Sequence, residues 1–258
     1  MRSAERRRAI RELAARRPVG VEELSAHFGV SPSTVRRDLA ELTADGELVR
    51  TYGGAVASSA EQPLHARERL ALAQKAAIAR VAERYVTGGA TLALDAGTTV
   101  GGLARRLAAS TGLTVVTNGL TSIDALADAE DVRLVVLGGT VRHISLGMVG
   151  PVAERTMRDV TVDAAFLGAD GVDAERGVCE ATAEQASLKR LMAEQATSVY
   201  VLADHSKLRN PASHWWTPLD RPWTLITDDE AGPEHLAPFR DHPEITVVVA
   251  STTDNPAR

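Results

Sequence analysis

Val21-Glu-Glu-Leu-Ser-Ala-His-Phe-Gly-Val-Ser-Pro-Ser-Thr-Val-Arg-Arg-Asp-Leu39 reads as two short helical patterns joined by a tight turn. Val21, Leu24 and Phe28 recur at helical spacing, which predicts an amphipathic helix over 21–28. Gly29 stops it, because glycine enters the left-handed C-terminal conformation without steric cost. Ser31 and Pro32 restart the pattern: serine caps the open N–H groups and proline fits the first helical position. From there Val35, Leu39 and Leu42 define one buried face. At about 100° per residue, Ser33 and Arg37 point away from that face, with Thr34 and Arg36 on its flanks. Two guanidiniums and two hydroxyls thus stand where a recognition helix needs donors to base edges and phosphates. Ser31, Ser33, Thr34, Arg36 and Arg37 are therefore candidate DNA-binding residues.

Upstream, a helix over 4–16 is expected to pack Ile10, Leu13 and Ala14 and to carry Arg6, Arg7, Arg8 and Arg11. Downstream, residues 47–56 read as two short strands around Gly53-Gly54, a hairpin or wing, with Arg50 positioned for a phosphate or the minor groove. The competing reading is three packed helices with a solvated charged face. Cap, turn, spacing and wing together favour a winged helix-turn-helix domain over residues 1–57.

A chain of 258 residues has room for this module and a larger one. Net charge is −5 but unevenly spread: residues 1–60 hold 10 Arg and 8 Asp or Glu, a balance of +2, which leaves −7 for the rest. A weakly basic head on an acidic body suits a specific reader of double-stranded operator DNA that combines two or more heads, as a homodimer or homotetramer. The single cysteine, Cys179, excludes an internal disulfide and a Cys-rich metal site, and the seven histidines show no metal-ligand spacing. Neither metal nor cofactor is expected. No signal-peptide pattern and no apolar run near 18 residues is present, so the expectation is a cytoplasmic protein with no membrane partner.

Polar, small residues through Pro63 suggest a linker over 58–66, with a second domain over 67–252. Strand candidates there are 91–95, 113–117, 132–137, 164–168, 198–203, 224–227 and 246–249. Helical stretches at 100–109, 121–127, 151–157, 184–194 and 234–239 lie between most of them, and a long helix over 67–86 leads in. The alternation predicts an α/β domain with a mostly parallel sheet covered on both faces. In such sheets ligands gather beyond the carboxyl ends of the strands. Those ends are polar here: Asp95-Ala-Gly-Thr-Thr99, Thr117-Asn-Gly119, Gly138-Gly-Thr140, Gly168-Ala-Asp-Gly171 and Asp204-His-Ser-Lys207. Gly97, Thr98 and Thr99 at a helix start offer backbone access, hydroxyls and open N–H groups to an anion, although such a triplet also serves as a plain cap. Lysine is rare, three residues against 26 arginines, which suggests that Lys75, Lys189 and Lys207 stand where a compact ammonium is wanted. Lys207, in a strand-end loop, is the first candidate partner for a phosphate. Lys75 and Lys189 are equally compatible with surface roles.

These motifs together, in order along nearly the whole chain, resemble the DeoR family of bacterial transcription regulators. The resemblance rests on the helix pair, the Arg50-Thr-Tyr-Gly-Gly-Ala55 wing, Asp95 to Thr99, Val115-Val-Thr-Asn118, Leu137-Gly-Gly-Thr140, Phe166-Leu-Gly-Ala-Asp-Gly171 and Leu202-Ala-Asp-His-Ser-Lys207. It implies a sensor domain akin to ribose-5-phosphate isomerase that binds a phosphorylated sugar or related metabolite. By that analogy Gly97, Thr98 and Thr99, following Asp95, grip the phosphate with Lys75 and Lys207 nearby. Asp170, Glu184 and Lys189 face the sugar hydroxyls, and Asn118 and Gly139 line the floor. The chain departs from many relatives at Cys179-Glu-Ala-Thr182, where they carry Thr-Thr-Pro-Asn, so effector specificity does not transfer. Trp215, Trp216 and Trp223 read either as a lid or subunit contact or as ordinary packing. The implied function is a repressor of a carbohydrate operon. The alternative is a sugar-phosphate isomerase with a DNA-binding head, using Asp170, Glu180 or Glu184 as base. A nucleotide switch is disfavoured, because neither Gly-x-x-x-x-Gly-Lys-Ser/Thr nor a strand-borne Gly-x-Gly-x-x-Gly occurs.

Overall fold

The computed structural model describes residues 3–14, 19–44, 48–51, 54–57, 64–208 and 215–253. The chain divides into two compact units, Met1–Gln62 and Pro63–Arg258. The first contains α1 (Ser3–Ala14), β1 (Val19–Gly20), α2 (Val21–Phe28), α3 (Pro32–Ala44), β2 (Leu48–Thr51) and β3 (Gly54–Ala57). Ile10, Leu24, Val35 and Leu39 are wholly buried against one another, with Val21 and Leu42 beside them. The expected turn forms: Gly29 takes the left-handed conformation at φ 62°, and the Thr34 N–H donates to Ser31 Oγ at 3.2 Å.

The wing pairs β2 with β3 antiparallel, Leu48 opposite Ala57 and Thr51 opposite Gly54. Strand β1 adds to β3, with Val19 opposite Ala55; two residues are too few to give a readable strand period. The expected turn residue Gly53, together with residues 15–18 and 45–47, lies outside the described residues. Arg6, carried on α1 with Arg7, Arg8 and Arg11, differs from these neighbours. It is buried, and its Nε and Nη2 donate to Asp38 at 2.6 and 3.2 Å. Asp38 falls three residues after Val35, on the inner side of α3, and a carboxylate there requires a cationic partner.

The second unit runs α4 (Leu64–Glu68), α5 (Leu72–Glu83), β4 (Thr91–Leu94), α6 (Thr98–Leu107), β5 (Thr114–Thr117), α7 (Leu120–Leu126) and β6 (Arg133–Val136). It continues with β7 (Thr140–Arg142), β8 (Gly147–Val149), α8 (Pro151–Arg158), β9 (Val162–Leu167), β10 (Gly171–Asp173), β11 (Gly177–Glu180) and α9 (Ala183–Glu194). It ends with β12 (Ala196–Leu202), β13 (Trp215–Thr217), β14 (Trp223–Asp228), α10 (Pro233–Arg240) and β15 (Ile245–Ala250). The seven expected strands form one sheet in the order β15-β14-β12-β9-β4-β5-β6, and every pair is parallel. Leu92, Leu94, Val115 and Phe166 pack on one face with α5, α6 and α7. Ala93, Val116, Ala165 and Leu167 pack on the other with α8, α9 and α10. Both faces are covered, which is why the strands read as apolar runs rather than alternating patterns.

From β4 the chain steps outward through β5 and β6, then returns to β9 on the other side of β4 and proceeds through β12, β14 and β15. The order therefore reverses between β4 and β9, and the connections from the two carboxyl ends diverge there to leave a crevice. Three features differ from the sequence expectation. The helix expected over 67–86 is two helices, separated by residues 69–71, where Ala71 adopts a left-handed φ of 51°, a short break that periodicity does not register. Residues 64–66, expected in the linker, belong to α4; Leu64 is buried and its N–H donates to the Ile144 carbonyl at 2.7 Å. The β7–β8 hairpin and the small β10-β11-β13 sheet have no counterpart among the expected strands, since strands of three or four residues carry little periodic signal.

Candidate functional site

On α3, Ser33, Arg36 and Arg37 are exposed, while Thr34 is half-buried. The hydroxyls are partly committed to the cap, since Ser31 Oγ lies 2.8 Å from Ser33 Oγ and 2.9 Å from Thr34 Oγ1. The two guanidiniums are presented from a helix whose next residue, Asp38, is clamped by Arg6. Breaking a buried ion pair of this kind costs about 3–5 kcal/mol, so the helix face is held in place from behind. Arg50 lies on β2 opposite Ala55 in the wing.

In the second unit a buried charge cluster at the sheet reversal is built around Lys189. Asp95 follows β4 directly and Gly168 follows β9, so both sit at the two strand ends that flank the reversal. The Gly168 N–H donates to Asp95 Oδ2 at 3.1 Å. From α9, the Lys189 ammonium donates to the same Asp95 oxygen and, at 2.5 Å, to the Gly168 carbonyl. Glu180 Oε1 lies 2.8 Å from Lys189 Nζ, and Gln185 Nε2 donates to Glu180 Oε2 at 3.1 Å. Lys189 and Glu180 are 3 % and 4 % exposed, so these charges depend on one another rather than on water. Burial pushes the Glu180 carboxyl upward; Lys189 only partly offsets this, and the charges of Asp170 and Asp95 add to the rise. Burial also works against the Lys189 charge, but Asp95 and Glu180 outweigh it and its pKa is raised.

A second cluster adjoins the first. Arg67 Nη1 lies 3.5 Å from Asp170 Oδ1, and Lys75 Nζ donates to the Arg67 carbonyl at 2.6 Å. Burial lowers the Lys75 pKa to about 8; Asp204 opposes the fall, and Lys207 and Arg67 add to it. Lys75 also shares with Thr98 a groove of about 480 Å³ that runs between α5 and α6 to Arg105 and Arg106. Gly97 caps α6, Thr98 begins it, and Thr99 is buried behind them. Asn118, buried after β5, donates from Nδ2 to the Met148 carbonyl at 3.1 Å, while its Oδ1 has no hydrogen-bond partner. An unmatched buried acceptor costs about 1–3 kcal/mol, which a ligand hydroxyl aimed at it would recover.

The structure thus brings together Asp95, Asp170, Lys189, Lys75 and Lys207. Lys207 sits in the 3-10 turn His205–Leu208, and Gly139 is exposed just before β7. Glu184 is not part of the charge cluster; it is exposed in the first turn of α9, about 140° around the helix from Lys189. The segment's partner to Lys189 is Glu180, which the sequence offers as a base for the isomerase alternative and within the divergent segment Cys179-Glu-Ala-Thr182, but not as a partner of Lys189. Arg67 has no role in the sequence expectation, and Asp204 enters it only as part of the strand-end motif Asp204-His-Ser-Lys207. The one available signal for Glu180 was its place at the end of the apolar run Val178-Cys179, where a carboxylate is buried with its strand.

The family model described as the DeoR C terminal sensor domain matches residues 71–229, and the DeoR-like helix-turn-helix domain matches residues 6–61. The glycerol-3-phosphate regulon repressor of Escherichia coli (strain K12) is 34% identical over 210 residues, 80% of this chain and 83% of that protein. Transcriptional repressor AccR of Agrobacterium fabrum is 36% identical over 214 residues, 81% of this chain and 83% of that protein. Among solved structures, ribose 5-phosphate isomerase A from Methanocaldococcus jannaschii aligns with 52% of each chain at a TM-score of 0.38 and 21% identity.

Proposed function

The chain belongs to the DeoR family of transcriptional regulators, and on that premise we propose that it represses a carbohydrate operon and is released from operator DNA by a phosphorylated sugar. The observation that carries this reading is the union, in one chain, of an exposed two-arginine helix face and a charge-lined crevice at the sheet reversal. Arg36 and Arg37 read the major groove; Ser31, Ser33 and Thr34 cap the helix and meet phosphates, and Arg50 supports them from the wing. The operator is bound by a homodimer or homotetramer, because one weakly basic head supplies little affinity alone. Thr98, Lys75 and Lys207 receive the phosphate, with Gly97 and Thr99 shaping the α6 end. Asp95, Asp170, Lys189 and Asn118 receive hydroxyls, with Gly139 and Glu184 at the margin. We read a sensor rather than a catalyst: the buried carboxylates Asp95 and Glu180 are bound to Lys189 instead of poised as a base.

The reading also gives the ligand a route to the DNA-binding unit. Helix α4 is the first described element after the inter-unit segment, and it is held by Arg67–Asp170, by Lys75 on the Arg67 carbonyl, and by Leu64 on Ile144. A sugar phosphate that takes Asp170 and Lys75 competes with two of these three contacts, so the effector favours the state with α4 released. Such differential binding is what a population shift requires. Arg67→Ala should therefore mimic the inducer, weakening operator binding severalfold without effector while still binding the sugar phosphate. An electrophoretic mobility-shift titration checks it, and unchanged operator affinity would separate α4 from the response.

The test of the whole reading is thermal unfolding against a panel of sugar phosphates, with the free sugars as controls, followed by operator release with any hit. At a hundredfold excess over Kd, stabilisation of about 2.7 kcal/mol is expected, a rise of about 5–11 °C for a unit of this size. No shift with any phosphate would leave only the DNA-binding half standing. Lys75 adds a pH signature. Below its pKa of about 8 it is already charged and meets the anion at no protonation cost. Above that pH, binding must take up a proton, so affinity falls by up to about tenfold per pH unit. Lys75→Arg should flatten the profile, as isothermal titration at pH 7 and pH 9 would reveal.

A further inference from the structure

Trp215 and Glu180 are cross-strand partners. Strand β13 pairs antiparallel with β11, and the register sets Trp215 opposite Glu180, Trp216 opposite Cys179 and Thr217 opposite Val178. Directly opposed residues in an antiparallel pair project from the same face of the sheet. The indole of Trp215 therefore stands on the face that carries the Glu180 carboxylate to Lys189. Thr217 confirms which face this is, since its Oγ1 donates to the Ala186 carbonyl of α9 at 2.8 Å.

The two partners differ sharply in burial: Glu180 is 4 % exposed and Trp215 is 53 % exposed. Of the other tryptophans, Trp223 is buried edge-on against Phe239, and Trp216, on the opposite face, lies under the Arg176 guanidinium at 4.0 Å. Each has a packing role; Trp215 leaves its ring in water at the rim of a buried charged site. The chain has only nine aromatic residues, so a large exposed ring there is a costly placement without a ligand. The register that aims it is fixed by Gly177, in the left-handed region at φ 82°, where a Cβ would meet the Thr217 carbonyl oxygen at 2.2 Å. Any side chain at that position would push β13 away.

We propose that Trp215 is a specificity residue of the effector site, stacking on the apolar C–H face of a ring-form sugar whose hydroxyls face the Glu180–Lys189–Asp95 cluster. The proposal rests on the sugar-phosphate reading above and narrows it to cyclic hexose phosphates over acyclic polyol phosphates. An indole offers a flat apolar surface with little conformational freedom to lose, and such a surface matches a pyranose face and not a flexible chain.

The experiment is calorimetric titration of the full chain with glucose 6-phosphate, galactose 6-phosphate, fructose 6-phosphate, glycerol 3-phosphate and inorganic phosphate, using wild type, Trp215→Ala and Trp215→Phe. Expected is binding of at least one hexose phosphate by wild type, about tenfold weaker in Trp215→Ala and largely restored in Trp215→Phe, with weak inorganic phosphate binding unchanged throughout. Tryptophan emission should shift with that ligand in wild type and stay constant in Trp215→Phe. Equal affinity of wild type and Trp215→Ala for the hexose phosphate overturns the proposal while the sensor reading stands. So does wild-type binding of glycerol 3-phosphate alone, or a Trp215→Ala defect that appears in sedimentation as lost subunit association. Failure of wild type to bind any of these phosphates overturns both.

Discussion

Arg37→Ala should reduce operator affinity by about thirtyfold to about twenty-five-thousandfold, with Arg36→Ala close behind and the double variant reduced to non-specific binding. The range follows from the geometry. Arg37 projects opposite the buried Val35–Leu39–Leu42 face and is exposed, so it is the side chain best placed for a base edge. A good bidentate arginine contact contributes about 1–3 kcal/mol of discrimination, and a symmetric oligomer using two heads loses it twice. Arg36, on the flank, is better placed for a phosphate, so its loss should weaken specific and non-specific DNA alike and lower the salt dependence of binding. Neither change touches the core, because both side chains lie in water. Thermal stability and sugar-phosphate binding should remain at wild-type values. Fluorescence anisotropy on operator and scrambled duplexes at two salt concentrations separates the two roles. Retained operator affinity in Arg37→Ala would remove α3 from recognition.

Legibility in the sequence followed the range of the forces involved. The turn between α2 and α3 was readable because its determinants are local: Gly29 as stop, Ser31 as cap, and three apolar residues at helical spacing. The seven strands were readable because a sheet covered on both faces leaves continuous apolar runs. The contacts that give each unit its charge arrangement were not readable. Arg6 and Asp38 are 32 residues apart, and Lys189 and Asp95 are 94 apart; no local pattern couples them. Lysine scarcity did single out Lys189, but not that it would be buried between two carboxylates. Glu184 entered only through the family resemblance, and helical geometry turns it away from Lys189. The strand-end position of Glu180 supplies the carboxylate instead. The break at Ala71 was invisible for another reason. Its left-handed conformation runs against the preference of an alanine, so nothing local announces it.

Lys189→Met is the second change from which a large effect is expected, and it tests whether the crevice is held by charge. Methionine keeps much of the volume but leaves Asp95 without its cation and the Gly168 carbonyl without its donor. Removing one member of a buried ion pair costs about 3–5 kcal/mol, since the remaining charge is stranded away from water. For a unit of this size that is a fall of about 6–20 °C in Tm, with loss of the effector response. Glu180→Gln should behave differently. Burial already raises the Glu180 pKa, so its charged form is the unfavourable one; the amide oxygen can still accept from Lys189, and its NH2 can donate to Gln185 once that side chain turns its own oxygen inward. Its cost should stay below about 1.5 kcal/mol. The pH dependence carries the sign. A carboxyl whose pKa is higher folded than unfolded holds a proton that the unfolded chain releases, so wild-type stability falls as pH rises from the ordinary carboxylate range towards the folded value. Glu180→Gln cannot titrate, and its stability should be flatter over that interval. At alkaline pH, where Glu180 can ionise, Lys189→Met strands two carboxylates and Lys189→Met/Glu180→Gln only Asp95, so there the double variant should recover part of the loss. A double variant no more stable than Lys189→Met, together with an unchanged pH slope in Glu180→Gln, would mean that packing rather than charge holds the crevice.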